Sequence, residues 1–416
     1  MSGQHFEDFT QGTQGGEDIL AKTLRLSRYL ASSEDLSEQA LGIESLSGSG
    51  PKALIKNRQG KQQKVIMLGS NSYLDLARHP QVLAAASAAL EKYGYGTGAV
   101  SLYAGLTDLH TKLEGQIATF TGSEAAIVFP SGYGANVGII AALCGPGDVI
   151  INDSANHASI FDGCLLSRAE VKVYPHGNIK RLEQILARLP ESQKGRLIVT
   201  DGVFSMHGDL APLDRITELA AAYRARVMVD DAHGLGVVGP TGRGTAEVYG
   251  VEDKIDLKIS MLSKSPCGLG AYCAGSREII QYLRFYTRPY FFSTALPAPV
   301  VAGLSEVFAL LAADSAGRKS LWHNIRYMHE RIRQAGFETG EGRSGIIPII
   351  VGDEAKLARF YHGLLEAGVY TNIVTYPAVR RKECRLRLCI MASLSQDEMD
   401  TALLHLKEEA KKCRVL

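Results

Sequence analysis

The sequence predicts an α/β fold: a mostly parallel, seven-stranded sheet with helices on both faces, followed by a smaller C-terminal α+β domain. Three observations predict it. Seven short apolar or β-branched runs lie between residues 125 and 274, and amphipathic helical patterns separate most of them. The runs are continuously apolar rather than alternating, which marks strands buried on both faces of a parallel sheet. After about residue 300 the order changes to helix, helix, strand, helix, strand, strand, helix, the texture of a separate small domain.

The elements follow in order. Residues 1–64 are polar and interrupted by Gly and Ser, with one helical patch around Ile19–Leu36, and read as an N-terminal arm. Residues 65–300 read as the large domain. Its strand runs are Ala125–Phe129, Val149–Asn152, Val171–Tyr174, Arg196–Thr200, Val227–Val229, Leu257–Met261 and Ala271–Ala274. Between Thr107 and Phe120, Leu109, Leu113, Ile117 and Phe120 share one helical face. Leu182, Ile185, Leu186 and Leu189 do the same, as do Leu213, Ile216, Ala220 and Tyr223, with Pro212 in the first turn. Residues 301–416 read as the small domain. Its last helix opens on a capping box, Ser395 to Glu398, and presents Met399, Leu403, Leu406 and Ala410 on one side.

Composition narrows the function. Lys+Arg is 45 and Asp+Glu is 44, a net charge of +1, so no electrostatic argument favours nucleic acid or an anionic membrane. The N-terminal residues are polar and acidic, unlike a signal peptide. No apolar window approaches the ~18 residues of a membrane span. Seven cysteines, an odd count without C-x-x-C pairs, argue against a disulfide framework and a zinc site and for reduced thiols in the cytoplasm. Glycine is enriched: 43 of 416 residues, of which 25 fall between residues 94 and 275. There the backbone must turn tightly or come close to a ligand.

Several predicted strands end in chemistry-bearing residues, where ligands of parallel sheets bind. Val227–Val229 runs into Asp230, with His233 three residues on. Leu257–Met261 delivers Lys264, a residue able to form a Schiff base when burial lowers its pKa. Ala125–Phe129 leads to Ser131-Gly132-Tyr133 at a helix start, where backbone N–H groups bind phosphate. Val149–Asn152 precedes His157, and Arg196–Thr200 precedes Ser205. Each segment alone is an ordinary turn. Together they supply phosphate donors, a ring-sized His, a carboxylate for a pyridine nitrogen, donors for a phenolate and a lysine for an aldehyde. That set describes a pyridoxal 5'-phosphate (PLP) site.

The chain resembles the α-oxoamine synthases, PLP-dependent enzymes of the aspartate-aminotransferase-like fold type I, from about Leu68 to the C-terminus. The blocks that carry the likeness are His157-Ala-Ser-Ile-Phe-Asp-Gly, Val203-Phe-Ser-Met-His-Gly-Asp, Asp230-Asp-Ala-His-Gly-Leu-Gly, Ser263-Lys264-Ser and Arg385-Leu-Arg387-Leu. Tyr95-Gly-Thr-Gly, Arg288-Pro-Tyr-Phe-Phe-Ser-Thr and Gly368-Val-Tyr-Thr-Asn look most like the serine palmitoyltransferase branch. The resemblance implies a homodimeric transferase joining an amino acid to an acyl thioester, of CoA or an acyl carrier protein, with loss of CO2. It implies roles as well. Lys264 would carry the cofactor and act as base, and Asp230 would pair with the pyridinium. His233 and Ser205 would bond the ring oxygen, and His157 would stack on the ring. Ser131, Gly132 and Tyr133 would hold the phosphate, with Ser293 and Thr294 reaching it from a partner subunit. Arg387, with Asn71 and Tyr73, would bind the amino acid.

The chain departs from the family pattern at Met261, Cys267, Ala271, Ser101, Thr375 and Leu394, and these departures touch the substrate-facing shell. Two alternatives follow: a secondary-metabolism synthase with another amino acid and acyl donor, or a catalytically silent homologue acting as a subunit.

Overall fold

The computed structural model describes residues 18–32, 42–57, 60–193, 195–313 and 315–416. The predicted N-terminal helical patch is a helix over Ala21–Ser32, preceded by a turn at Ile19 and Leu20; residues 33–36 of the patch lie outside the described residues.

Three short strands follow: β1 (Glu44–Ser45), β2 (Lys52–Lys56) and β3 (Gln62–Met67). The large sheet comprises β4 (Ala125–Phe129), β5 (Val149–Asp153), β6 (Glu170–Tyr174), β7 (Arg196–Asp201), β8 (Arg226–Asp230), β9 (Leu257–Met261) and β10 (Ala271–Gly275). All seven predicted runs are therefore strands, extended by a residue at one end or both where they differ. Their order is β4-β10-β9-β8-β7-β5-β6, and β10 alone runs antiparallel to its neighbours. Every residue of β5 and β10 is buried. That two-sided burial explains why these strands read as unbroken apolar runs.

The parallel register brings the C-terminal ends of the strands to one edge. Asp201 at the end of β7 lies directly opposite Asp230 at the end of β8. The turns beyond this edge hold much of the glycine excess. Gly244 has φ 107°, and a Cβ there would stand 2.0 Å from Asp231 Oδ2. Asp231 in turn accepts from the Thr245 backbone N–H and hydroxyl, so a side chain at Gly244 would displace the carboxylate that ties this loop to the sheet.

The small unit holds β11 (Ile346–Ile350), β12 (Val369–Tyr370), β13 (Asn372–Val374) and β14 (Arg385–Cys389). The strands β11-β14-β13 form one sheet and β1-β2-β3-β12 another. Helices Ala316–Gln334, Glu354–Glu366 and Gln396–Lys412 cover them. The last is capped by the predicted reciprocal Ser395–Glu398 box.

The packing differs from the expected divisions at 64/65 and 300/301. Residues 44–67, expected to divide between the arm and the large domain, form one sheet with β12 through β3, and Ala53, Ile55 and Val65 share the core of the C-terminal unit. Each of these strands is short and one-sided, so its pattern was lost among polar residues. Helix Ala298–Ala313, which straddles the second division, packs on helices Pro80–Tyr93 and Asp108–Thr121 of the large unit.

Candidate active site

The C-terminal edge of the large sheet gathers most of the residues singled out from sequence. Asp230, 3% exposed, accepts at Oδ2 from Asn136 Nδ2 (2.7 Å) and at Oδ1 from the Ala232 N–H (3.1 Å). The same Asn136 Nδ2 donates to Ser159 Oγ (2.9 Å), and Ser159 Oγ is 2.7 Å from His157 Nδ1. A continuous hydrogen-bonded chain therefore runs from Asp230 to His157. Asn136 sits one helical turn after Gly132, and Ser159 lies in the first turn after His157, which caps the helix Ala158–Ser167. Sequence reading missed both. The signal was a polar residue at i+4 on an otherwise apolar helix.

Lys264 follows β9 and faces Asp230 and Asp201. Burial lowers its pKa, while the two carboxylates pull it back up. Among the described residues its ammonium makes no hydrogen bond or ion pair, so its Nζ is left for a ligand. Asp201, also missed from sequence, is held well above the usual carboxylate range by burial and by the neighbouring Asp230 charge.

His233 is buried, and its Nδ1 is hydrogen-bonded to the Tyr73 hydroxyl at 2.7 Å. Burial, then the charges of Lys264 and Arg387, push its pKa well below the ordinary histidine value, so the ring is neutral. Tyr73 is itself fully buried. It lies behind His233 rather than on an open substrate face.

Arg387 on β14 reaches across from the small unit. Its Nη2 donates to Asn71 Oδ1 (3.0 Å) and its Nη1 to the Ser205 carbonyl (3.3 Å), while its buried Nε has no partner. A guanidinium so held retains donor capacity for a carboxylate. The Ser205 hydroxyl makes no hydrogen bond among the described residues.

The predicted anion site is the N-terminus of helix Gly132–Leu143. Ser131 caps it, its Oγ accepting from the Gly134 N–H at 3.2 Å. The first-turn N–H groups of Gly132 and Tyr133 face outward as such groups do. The Tyr133 hydroxyl donates to Asp162. Met261, one of the departures, lies beneath this turn: a Cβ on Gly132 would stand 2.0 Å from its sulfur. Cys267, another departure, adopts a left-handed φ of 58°, a conformation that favours glycine. Its Sγ is 2.8 Å from Ser72 Oγ. Leu394 is buried in the core of the small unit.

Ser293 and Thr294 do not join the others within one chain. Thr294 instead bridges Val100. A cavity of about 650 Å³ lies elsewhere, around Cys144, Arg196 and Arg226 at the opposite end of the sheet. It holds none of these groups.

The donor set fits PLP. It offers a half-buried lysine without a partner among the described residues, a carboxylate oriented by Asn136, a His fixed by Tyr73, and N–H groups at a capped helix start.

The comparisons agree with that fit. The family model described as aminotransferase class I and II matches residues 63–406. An 8-amino-7-oxononanoate synthase of Thermoanaerobacter pseudethanolicus is 41% identical over 370 residues, covering 89% of this chain and 92% of the relative. A variant of the serine palmitoyltransferase of S. paucimobilis, solved with PLP and myriocin, matches with TM-score 0.90 and 32% identity over 96% of this chain and 100% of that one. The serine palmitoyltransferase of Sphingomonas wittichii matches with TM-score 0.89 and 34% identity over the same shares.

Proposed function

The chain belongs to the aminotransferase class I and II family and, within it, to the α-oxoamine synthases, and on that premise we propose that Lys264, Asp230, His233 and His157 are its catalytic centre. The enzyme is a PLP-dependent acyltransferase that condenses an amino acid with an acyl thioester, releasing CO2 and thiol and giving an α-amino ketone. The alternatives of a synthase from secondary metabolism and of a silent subunit are not favoured. Sequence relatives carry the 8-amino-7-oxononanoate synthase name at about 41% identity, above the 32–34% of the serine palmitoyltransferase structures.

Bound PLP supplies an electron sink for the charge left when a bond to the amino acid's Cα breaks. Lys264 Nζ would hold the cofactor and then carry the Cα proton. Asp230, kept in place by Asn136, would face the pyridine nitrogen. His233 and Ser205 would donate to the ring oxygen, and Tyr73 acts on His233 as a positioning residue. His157 would cover the ring, tied to Asp230 through Ser159 and Asn136. Ser131, Gly132 and Tyr133 would bind the phosphate. Arg387, steadied by Asn71, would grip the substrate carboxylate and so align the Cα–H bond with Lys264. The single observation that carries this reading is the half-buried Lys264, with no hydrogen-bond or ion-pair partner among the described residues, facing Asp230 at the strand edge.

A homodimer with shared sites belongs to the same proposal. Ser293 and Thr294 lie away from their own chain's site, beside exposed Tyr103 and Phe292, 68% and 70% exposed, an apolar surface a partner would cover. The seven unpaired cysteines support a cytoplasmic setting. No single described helix is long and apolar enough to cross a membrane. We also propose a functional division into a large PLP-binding unit, within residues 65–300, and a small unit that brings Arg387.

The test is reconstitution of Lys264→Ala with PLP. The substitution should abolish the lysine-linked visible absorbance and lower turnover at least a thousandfold. A wild-type rate would refute the assignment.

A further inference from the structure

Three neighbouring strand ends, β7, β5 and β6, bring together side chains that the proposed chemistry leaves unused. His176 follows β6, Asp153 ends β5, and His207 and Asp209 follow β7. The ligand atoms of His176, His207 and Asp209 lie within 4.8 Å of one another. His176 Nε2 is 2.9 Å from Asp209 Oδ2, and the two imidazole rings are 4.7 Å apart, tilted by 31°.

Two further observations point to a ligand. Among the described residues, His207 Nδ1 and Asp209 Oδ1 are buried with no hydrogen-bond partner, and polar atoms orphaned in this way are costly unless a ligand satisfies them. Asp153, whose side chain is 1% exposed, holds His176 Nδ1 at 3.1 Å and so turns Nε2 toward Asp209. A carboxylate behind one imidazole nitrogen, with the other nitrogen presented, is how proteins orient metal-binding histidines. A cavity of about 480 Å³ opens onto the cluster and is lined by Glu338, Glu341 and Glu383, opposed by Lys382 and Arg385. It offers a path of entry and room for water in a remaining coordination position.

We propose that His176, His207 and Asp209 bind one divalent transition metal of the zinc type. Two imidazoles and one carboxylate suit zinc, cobalt or nickel and not magnesium or calcium, which prefer all-oxygen shells. Metal–ligand bonds of about 2.0–2.2 Å set the ligand atoms roughly 3.4 Å apart, a closing movement that side-chain rotation supplies. Binding exchanges the His176–Asp209 hydrogen bond for two bonds to the ion and releases the proton it held. The role is structural. The metal would tie the ends of β6 and β7 together and fix the segment Ser205–Asp209, whose Ser205 carbonyl accepts from Arg387.

The sequence argued against zinc because its cysteines lack ligand spacing. That argument could not see ligands drawn from two segments about thirty residues apart.

The test is titration of tag-free holoenzyme, stripped of metal but loaded with PLP, with Co2+ and Zn2+. The site predicts one metal per chain after gel filtration, tetrahedral cobalt absorption and no competition by millimolar Mg2+. His207→Ala should lower the affinity at least a hundredfold, and Asp153→Asn, a milder change, ten- to a hundredfold. The PLP absorbance should stay in place in both. Absence of stoichiometric metal, or wild-type affinity in either folded variant, would overturn the proposal.

Discussion

At the scale of single residues, the site depends on groups that do not touch the cofactor in any reading of the sequence. Asn136 is the clearest. Its amide joins Asp230 to Ser159, and through Ser159 to His157. A hydrogen bond to a carboxylate contributes about 1.5–3 kcal/mol, so Asn136→Ala should lower kcat/KM ten- to a hundredfold, read by steady-state kinetics on folded protein. Gly132 gives a second prediction. The space its Cβ would take is filled by the Met261 sulfur, so Gly132→Ala should weaken PLP binding, measured by fluorescence titration. The double variant Gly132→Ala, Met261→Ala should recover most of the loss, because contacting sites couple. The sequence marked Lys264, Asp230, His233 and Arg387 because each ends, occupies or closely follows a strand within a recognisable block. It could not mark Asn136, Ser159 or Asp201, whose roles arise only when helices and strands distant in the chain meet, and it gave Tyr73 to the substrate because the contact with His233 is 160 residues away in sequence.

At the scale of elements, two-sided burial made the large sheet legible. Every residue of β5 and β10 is buried, and the apolar starts of such strands stand out between amphipathic helices. The short strands β1, β2, β3 and β12 escaped because each is half exposed or only two residues long. Helix ends were readable where capping chemistry is local. Ser395 accepts from the Glu398 N–H, and Glu398 accepts from the Ser395 N–H. Ser395→Ala should cost about 1 kcal/mol, seen as a lower midpoint in denaturant without loss of PLP absorbance.

At the scale of the whole molecule, buried neutral histidines set the response to acid. His110 Nδ1 accepts from the Thr107 N–H, and its Nε2 donates to the Leu296 carbonyl. His329 Nε2 donates to the Ser344 carbonyl. Burial lowers the pKa of both. The unfolded chain therefore takes up protons near pH 6.5 that the folded chain resists. The stability these residues allow is present above that pH and falls as pH drops below it, by up to about 1.4 kcal/mol per pH unit for each. Chemical denaturation from pH 7.5 to 5 should show the decline, and His110→Gln should flatten it. The same whole-molecule view joins the units: Arg387 from the small one meets Asn71 and Ser205 beside the strand edge that carries Lys264 and Asp230. The measurement that tests this account most directly is a single-pot assay of PLP-loaded enzyme with a carboxyl-labelled amino acid and an acyl thioester, counting released CO2 and free thiol. The account predicts the two in equal amounts, with an α-amino ketone as product and neither formed by Lys264→Ala. Formation of a keto acid, with the label retained and the thioester intact, would contradict it.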